Sequence, residues 1–160
     1  MRGCTSPHGD TAISKSLPWK ESYAVGHEGL DEEHRRLVAA INDICAACEA
    51  GQPPAVIDPL FKNLERETER HLTHEDAVMH EIAASAERSA QGDIKAMTRR
   101  GIGEHIAEHE RVLGKLRAIM DTARASTDCG ATDICAELKE WFLEHAFKYD
   151  AHLKAIFQAF

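Results

Sequence analysis

Residues 64–82 read LERETERHLTHEDAVMHEI, and this stretch decides the fold. Leu64, His71, Glu75, Val78 and Ile82 recur every three or four or seven positions, the spacing of one helix face. Glu67 falls on the same face. Upstream, Leu60 extends the stripe, and Asp58-Pro59 supplies an N-cap followed by proline at the first helical position. Downstream the pattern fades near Arg88. The face is apolar except at its centre, where His71 and Glu75 stand one turn apart and point the same way. An imidazole and a carboxylate at the middle of a core stripe must find partners on neighbouring helices.

The rest of the chain supplies three such neighbours. A helix is expected over 31–50, with Leu37, Val38, Ile41, Ile44, Cys45 and Cys48 on its inner face and His34 at its start. Asp31 and Glu32 favour its beginning, and Gly51, Pro53 and Pro54 end it. Beyond residue 88, Gln91, Gly92 and Asp93 predict a break, and a short helix is expected over 94–100 before Gly101 and Gly103 interrupt again. A third long helix then carries His105, His109, Val112, Leu113, Leu116 and Met120, and a loop is expected over 126–132. A fourth runs from Asp133 to the end with Leu138, Trp141, Phe142, His145, Tyr149, Ile156 and Phe157. No strand pattern or repeat occurs. Four helices with short links predict an all-α, antiparallel up-down four-helix bundle over 30–160. Residues 1–29, broken by Pro7, Pro18, Gly26 and Gly29, read as an N-terminal arm anchored by Trp19 and Tyr23.

The bulk properties narrow the function classes. A chain of 160 residues has the size of one domain with a substantial core. A formal net charge of −8 repels nucleic acid and anionic membrane, so neither is an expected partner. No apolar run approaches the ~20 residues of a spanning helix. Residues 1–18 lack the apolar stretch of a signal peptide, which makes the cytoplasm the expected compartment. Five cysteines, an odd count, argue against an obligatory disulfide framework.

All four core stripes are interrupted in the same manner: His34 in the first, His71 and Glu75 in the second, His105 and His109 in the third, His145 with Asp150 in the fourth. One inward histidine is commonly a satisfied core residue. Five on four inward faces, with two acids, would cost several kcal/mol if left unpaired, and a metal removes that cost. The His71/Glu75 and His105/His109 pairs each chelate one ion or hold two adjacent ones. Imidazole and carboxylate donors without cysteine suit Fe, Mn or Zn. Seven donors exceed the needs of one ion, which predicts a dinuclear site. Ferritin-like proteins use Glu-x-x-His, a motif that occurs nowhere in this chain.

In these motifs the chain resembles the hemerythrin family: Asp31-Glu-Glu-His34, His71-x-x-x-Glu75-Asp76-x-x-Met79, His105-x-x-x-His109 and Trp141-x-x-x-His145-x-x-x-x-Asp150. The resemblance covers about residues 19–160. It implies two iron ions, one held by His105, His109 and His145 and the other by His34 and His71. Glu75 and Asp150 would bridge them, together with a solvent-derived oxo or hydroxo bridge. One coordination position is then left open on the iron of His34 and His71, and there the family binds dioxygen.

The chain departs from the family in three ways. The segment between Glu75 and His105 is longer, with the extra residues at about 83–100. The pocket is altered: Leu72 stands where the family usually has Phe, Ala146 where it often has Ile, and Leu153 where it often has Tyr. Each change removes volume or a ring. Trp141 keeps a family position near the site, beside the core residue Phe142. Glu67 replaces an aromatic, and either snorkels to solvent or accepts from a ligand imidazole N–H. His74, His80 and His152 match no family ligand and are expected at the surface.

The expected function is a dioxygen-binding protein, a carrier, store or source of O2, working as a monomer or weak homo-oligomer. The alternatives are a sensor of O2, iron or redox state, and an enzyme that reduces peroxide or nitric oxide. No general acid or nucleophile beyond the ligands supports the enzyme. Cys45 lies eleven residues past His34 and Cys135 ten before His145. At ~1.5 Å per residue both sit roughly 15 Å from the metal layer, on the same side. Cys48 and Cys129 belong to the same end. The thiols there are either packing residues or a redox-sensitive pair, with Cys45 and Cys135 the best match in height.

Overall fold

Asp31, expected to open the first helix, turns back instead to hold the segment before it. Its carboxylate accepts from the N–H of Val25 at 2.6 Å and of Gly26 at 3.2 Å. Gly26 has a φ of +91°, in the left-handed region where a side chain is strained. The helix, α1 (Glu28–Glu49), therefore starts three residues earlier than expected, capped by the His27 ring, which accepts from the Leu30 N–H. The computed structural model describes residues 16–89, 92–125 and 131–159.

Within the arm, residues 16–27 lie on the bundle. Leu17, Tyr23 and Val25 are buried. Leu17 exchanges two hydrogen bonds with the Asn42 side chain, at 2.7 and 2.9 Å. Trp19 lies under the Arg35 guanidinium, 4.7 Å from its ring centre, and stacks edge-on against Tyr23. Both aromatic anchors are where the sequence places them.

The second helix, α2 (Pro54–Ser89), starts four residues before the expected Asp58. The first helical proline is Pro54, and Pro59 lies within the helix. Pro59 leaves the Ala55 carbonyl without its usual donor, yet it comes early enough for packing of Ile57 and Phe61, both buried, to outweigh that loss. The third helix, α3 (Gly92–Ala125), is unbroken. The short helix expected over 94–100 joins the helix of His105 and His109, and Gly101 and Gly103 do not stop it. A helical glycine costs about 1 kcal/mol relative to alanine. Ile102, buried against Met79 and Leu153 with Ile106 alongside, offsets that cost. The extra residues at 83–100 thus lengthen α2 and α3 into a helical hairpin, with Glu87 and Arg99 paired across it.

The expected fourth helix is two. α4 (Ala131–Lys148) and α5 (Asp150–Ala159) are separated by a turn at Tyr149. The Tyr149 N–H reaches the His145 carbonyl at 3.0 Å, and the His152 N–H reaches Tyr149 at 3.1 Å, a tightened step. His145 and Asp150 are five residues apart, about 140° around an unbroken helix. Both side chains are nonetheless buried, one on each side of the turn.

Each helix packs on two neighbours, α1 on α2 and α4, and α3 on α2 and α4. This is the expected up-down bundle. The main core fills the end that holds Ile44, Cys45, Phe61, Leu64, Leu116, Ile134 and Leu138. A smaller cluster of Met79, Ile102 and Leu153 closes the end toward the hairpin. Among the described residues no helix is long and apolar enough to cross a membrane.

The continuity of α3 is testable at Gly103. A Cβ there meets nothing within 4 Å, and the residue has no positive φ. Gly103→Ala is expected to raise unfolding stability by about 0.5–1 kcal/mol, measured by urea titration. Destabilisation would mean that the chain turns there.

Candidate metal centre

Between the two core clusters lies a layer of polar side chains. His34, His71, Glu75, His105, His109, His145 and Asp150 are each no more than 5% exposed. All seven sequence-predicted residues converge there. His34 Nε2 stands 3.1 Å from Asp150 Oδ2 and 3.2 Å from His71 Nε2. The other oxygen of Asp150 faces the opposite group, 3.5 Å from His105 Nε2 and 3.3 Å from His145 Nε2. Glu75 Oε2 is reached by His109 at 3.2 Å, His105 and His145 at 3.6 Å, and His71 at 3.7 Å. Two overlapping sets have donor atoms close enough to hold a metal ion: Glu75, His105, His109 and His145, and His71, Glu75, His145 and Asp150.

The donors are orphaned within the protein. Both oxygens of Glu75 and of Asp150, and Nε2 of His105, His109 and His145, are buried without a hydrogen-bond partner. Such groups cost on the order of a few kcal/mol each. Five imidazoles and two carboxylates aimed at one small volume form a donor set for a borderline divalent or trivalent ion, and a cation would satisfy every orphan at once.

The profile of the Hemerythrin HHE cation binding domain matches residues 25–157. The chain belongs to the hemerythrin family. It is also similar to Myohemerythrin of Sipunculus nudus, 29% identical over 139 residues, which cover 84% of this chain and 92% of that relative. No solved structure matches.

In this hemerythrin-family chain a surrounding layer orients the rings. His34 Nδ1–H donates to the Tyr23 carbonyl at 2.8 Å, and His71 Nδ1–H donates to Glu33 at 3.3 Å. A carbonyl and a carboxylate only accept, so each Nδ1 carries a proton and each neutral ring turns its Nε2 lone pair inward. With both rings neutral, the 3.2 Å contact between those two Nε2 atoms would set lone pair against lone pair, which a cation relieves. His109 Nδ1 lies 2.8 Å from Asp76 Oδ1 at an angle too bent for a good hydrogen bond.

The electrostatics agree with a cation-seeking site. Burial would raise the pKa of Glu75, but His71, His105, His109 and His145 hold it well below the ordinary carboxylate value. Burial opposes charge on His34, yet Asp150, the Tyr23 carbonyl and Glu75 raise its pKa. His145 is raised in the same way by Asp150 and Glu75. For His71 burial wins and the pKa falls, despite Glu75 and Glu33.

Several surrounding residues differ from expectation. Glu67 does not accept from a ligand imidazole. It pairs with Arg36 at 3.3 Å and Arg70 at 2.6 Å, which settles its inward position by neutralising it. That second-layer role belongs to Glu33, which also accepts from His74 Nδ1 at 3.1 Å. His74 is therefore half-buried, tied down at the surface, and is crowded enough that a Cβ on Gly29 would meet it at 2.9 Å. His80 and His152 are exposed.

The pocket residues Leu72, Trp141, Phe142, Ala146 and Leu153 are all buried. Trp141 Nε1–H donates to the Val112 carbonyl at 2.9 Å, and Phe142 stands edge-on to His34, 5.9 Å between centres. A cavity of about 480 Å³ beside His105 is lined by Met79, Ile102, Tyr149 and Leu153, among others.

Glu33 and Glu67 make a paired test. Glu33→Ala frees the His71 ring, and is expected to lower metal affinity by about 10–100-fold in competition with a chelator. Glu67→Ala removes only a pair of arginine contacts and is expected to leave affinity unchanged.

Proposed function

We propose that this chain binds dioxygen reversibly at a pair of iron ions and serves as a carrier, store or source of O2 in the cytoplasm. The observation that carries the reading is the split of Asp150, whose two oxygens face different imidazoles: Oδ2 faces His34, and Oδ1 faces His105 and His145. A carboxylate so divided suits a bridge between two ions. Glu75 would be the second carboxylate shared between the ions. His105, His109 and His145 would hold one iron, and His34 and His71 the other. Family membership and the match to a myohemerythrin support iron and dioxygen over other ions and ligands.

When bound, the two irons supply the two electrons that dioxygen takes up. The chain's own residues do the rest. Tyr23 and Glu33 fix the rings of His34 and His71, the two imidazoles beside the expected open position. Leu72, Phe142 and Ala146 make the surroundings apolar, which limits the water and protons that promote irreversible oxidation. A second reading, reduction of peroxide or nitric oxide, is favoured by the cavity beside His105, which gives a small molecule room near one ligand.

The purified chain is expected to carry two irons. Reduced anaerobically and then exposed to air, it should develop a charge-transfer band that reverses on removing O2. One iron per chain, or a band that never reverses, would count against dioxygen carriage. Steady consumption of peroxide or nitric oxide would favour the second reading.

Ala146 follows the ligand His145 and is 5% exposed. Ala146→Ile adds apolar volume beside that ligand, and is expected to slow autoxidation severalfold, followed as loss of the oxygenated spectrum with time. Equal rates would remove Ala146 from any role in keeping the site dry.

A further inference from the structure

Three buried thiols gather at the end of the bundle away from the hairpin. Cys45, Cys48 and Cys135 are reduced thiols, no more than 5% exposed. They share one core cluster, across the contact between α1 and α4. Cys45 and Cys135 are close enough for one thiol to hydrogen-bond the other. Sequence height alone places the two level with one another, and the structure adds that their side chains meet.

We propose that Cys45 and Cys135 are an oxidisable thiol pair that a hydroperoxide converts to a disulfide, tying α1 to α4. The two helices joined are those that carry His34 and His145. The pairing needs no metal and stands apart from the dioxygen reading.

The chemistry of the pair is divided between its members. The Cys135 S–H stabilises a thiolate on Cys45. That hydrogen bond, with the Lys139 ammonium, lowers the Cys45 pKa against the effect of burial and of Glu49. The same contact raises Cys135. The steps balance with Cys45 as the nucleophile and Cys135 as the resolving thiol. The Cys45 thiolate attacks the peroxide O–O bond. With one proton taken up, Cys45 becomes a sulfenic acid and one water leaves. The Cys135 sulfur displaces the sulfenic hydroxyl, its proton departing with that hydroxyl as a second water. In total, two thiols lose two electrons and two protons to one hydrogen peroxide, which becomes two waters. Access is local. Cys45 lies in the last turns of α1, which ends at Glu49, and Cys135 in the second turn of α4, which starts at Ala131. Helix ends open at low free energy.

The test uses the purified full chain, treated with a small excess of hydrogen peroxide, thiol-blocked, digested without reductant and mapped by mass spectrometry. The expected product is a peptide pair joining Cys45 to Cys135. The thermal midpoint should rise by roughly 5–10 °C and return when dithiothreitol is added. Cys48→Ser should keep both the cross-link and the shift. Cys45→Ser and Cys135→Ser should lose both, with helical circular dichroism of the untreated variants showing that they fold. The mapping of the unmutated chain decides the matter even if a variant does not fold. A cross-link that uses Cys48, oxidation of Cys45 with no cross-link, or an unchanged midpoint would overturn the proposal.

Discussion

Everything in this bundle is arranged around a layer of buried donors that the protein cannot satisfy by itself. Glu75 and Asp150 have no hydrogen-bond partner on either oxygen, and three imidazoles have none on Nε2. In an ordinary core the cheaper solution is to replace such groups by apolar side chains. Here they are kept, on all four sides of the bundle, and the apolar clusters above and below enclose them. The enclosure makes the donors costly without a cation, and it is also what strengthens their hold on one. Stability and function are therefore not separate properties of this core. A bound ion would supply part of the free energy of folding.

That constraint explains irregularities that helix propensity does not. The fourth helix gives up regular geometry at Tyr149, between the two buried donors His145 and Asp150. Gly101 and Gly103 lie close before His105, yet the helix runs through them. The interior position of Ile102 and the layer just beyond it hold the backbone helical where the local sequence would let it bend.

The fold and the donors were legible for a common reason. Periodicity is carried by side-chain chemistry, and a histidine at a core position of a three-and-four stripe breaks the pattern visibly. His34, His71, Glu75, His105, His109 and His145 all announce themselves in this way. Helix ends were less legible, because the residues that set them interact with backbone. Asp31 looks like a helix opener, but it serves Val25 and Gly26, while His27, an uncommon cap, starts the helix. Glu33 and Glu67 show a different limit. Each lies beside a ligand imidazole on an adjacent face, and spacing along one helix cannot say which acid meets a ring on another. Arg36 reaches both acids, Glu67 at 3.3 Å and Glu33 at 3.6 Å, but only Glu33 also meets His71 and His74. What separates them is which acid faces the rings across the α1–α2 interface, which only tertiary structure supplies. The Tyr23 carbonyl carries no side-chain signal at all.

That carbonyl changes the status of the arm. His34 is oriented by a backbone oxygen from residues that lie before the bundle begins, and Tyr23 also packs edge-on against Phe142, which in turn abuts the His34 ring. The segment is held to α1 by Asp31 and Asn42, three residues before and eight residues after His34 along the helix. Arm, ligand and pocket wall thus form one packed unit. A ring whose Nδ1–H is fixed presents Nε2 in a single direction and tautomer, which strengthens its binding to a metal. By linkage, whatever the arm adds to metal affinity the metal must return as stability of the arm. Residues 16–27 are therefore part of the centre, although none of their side chains is a ligand.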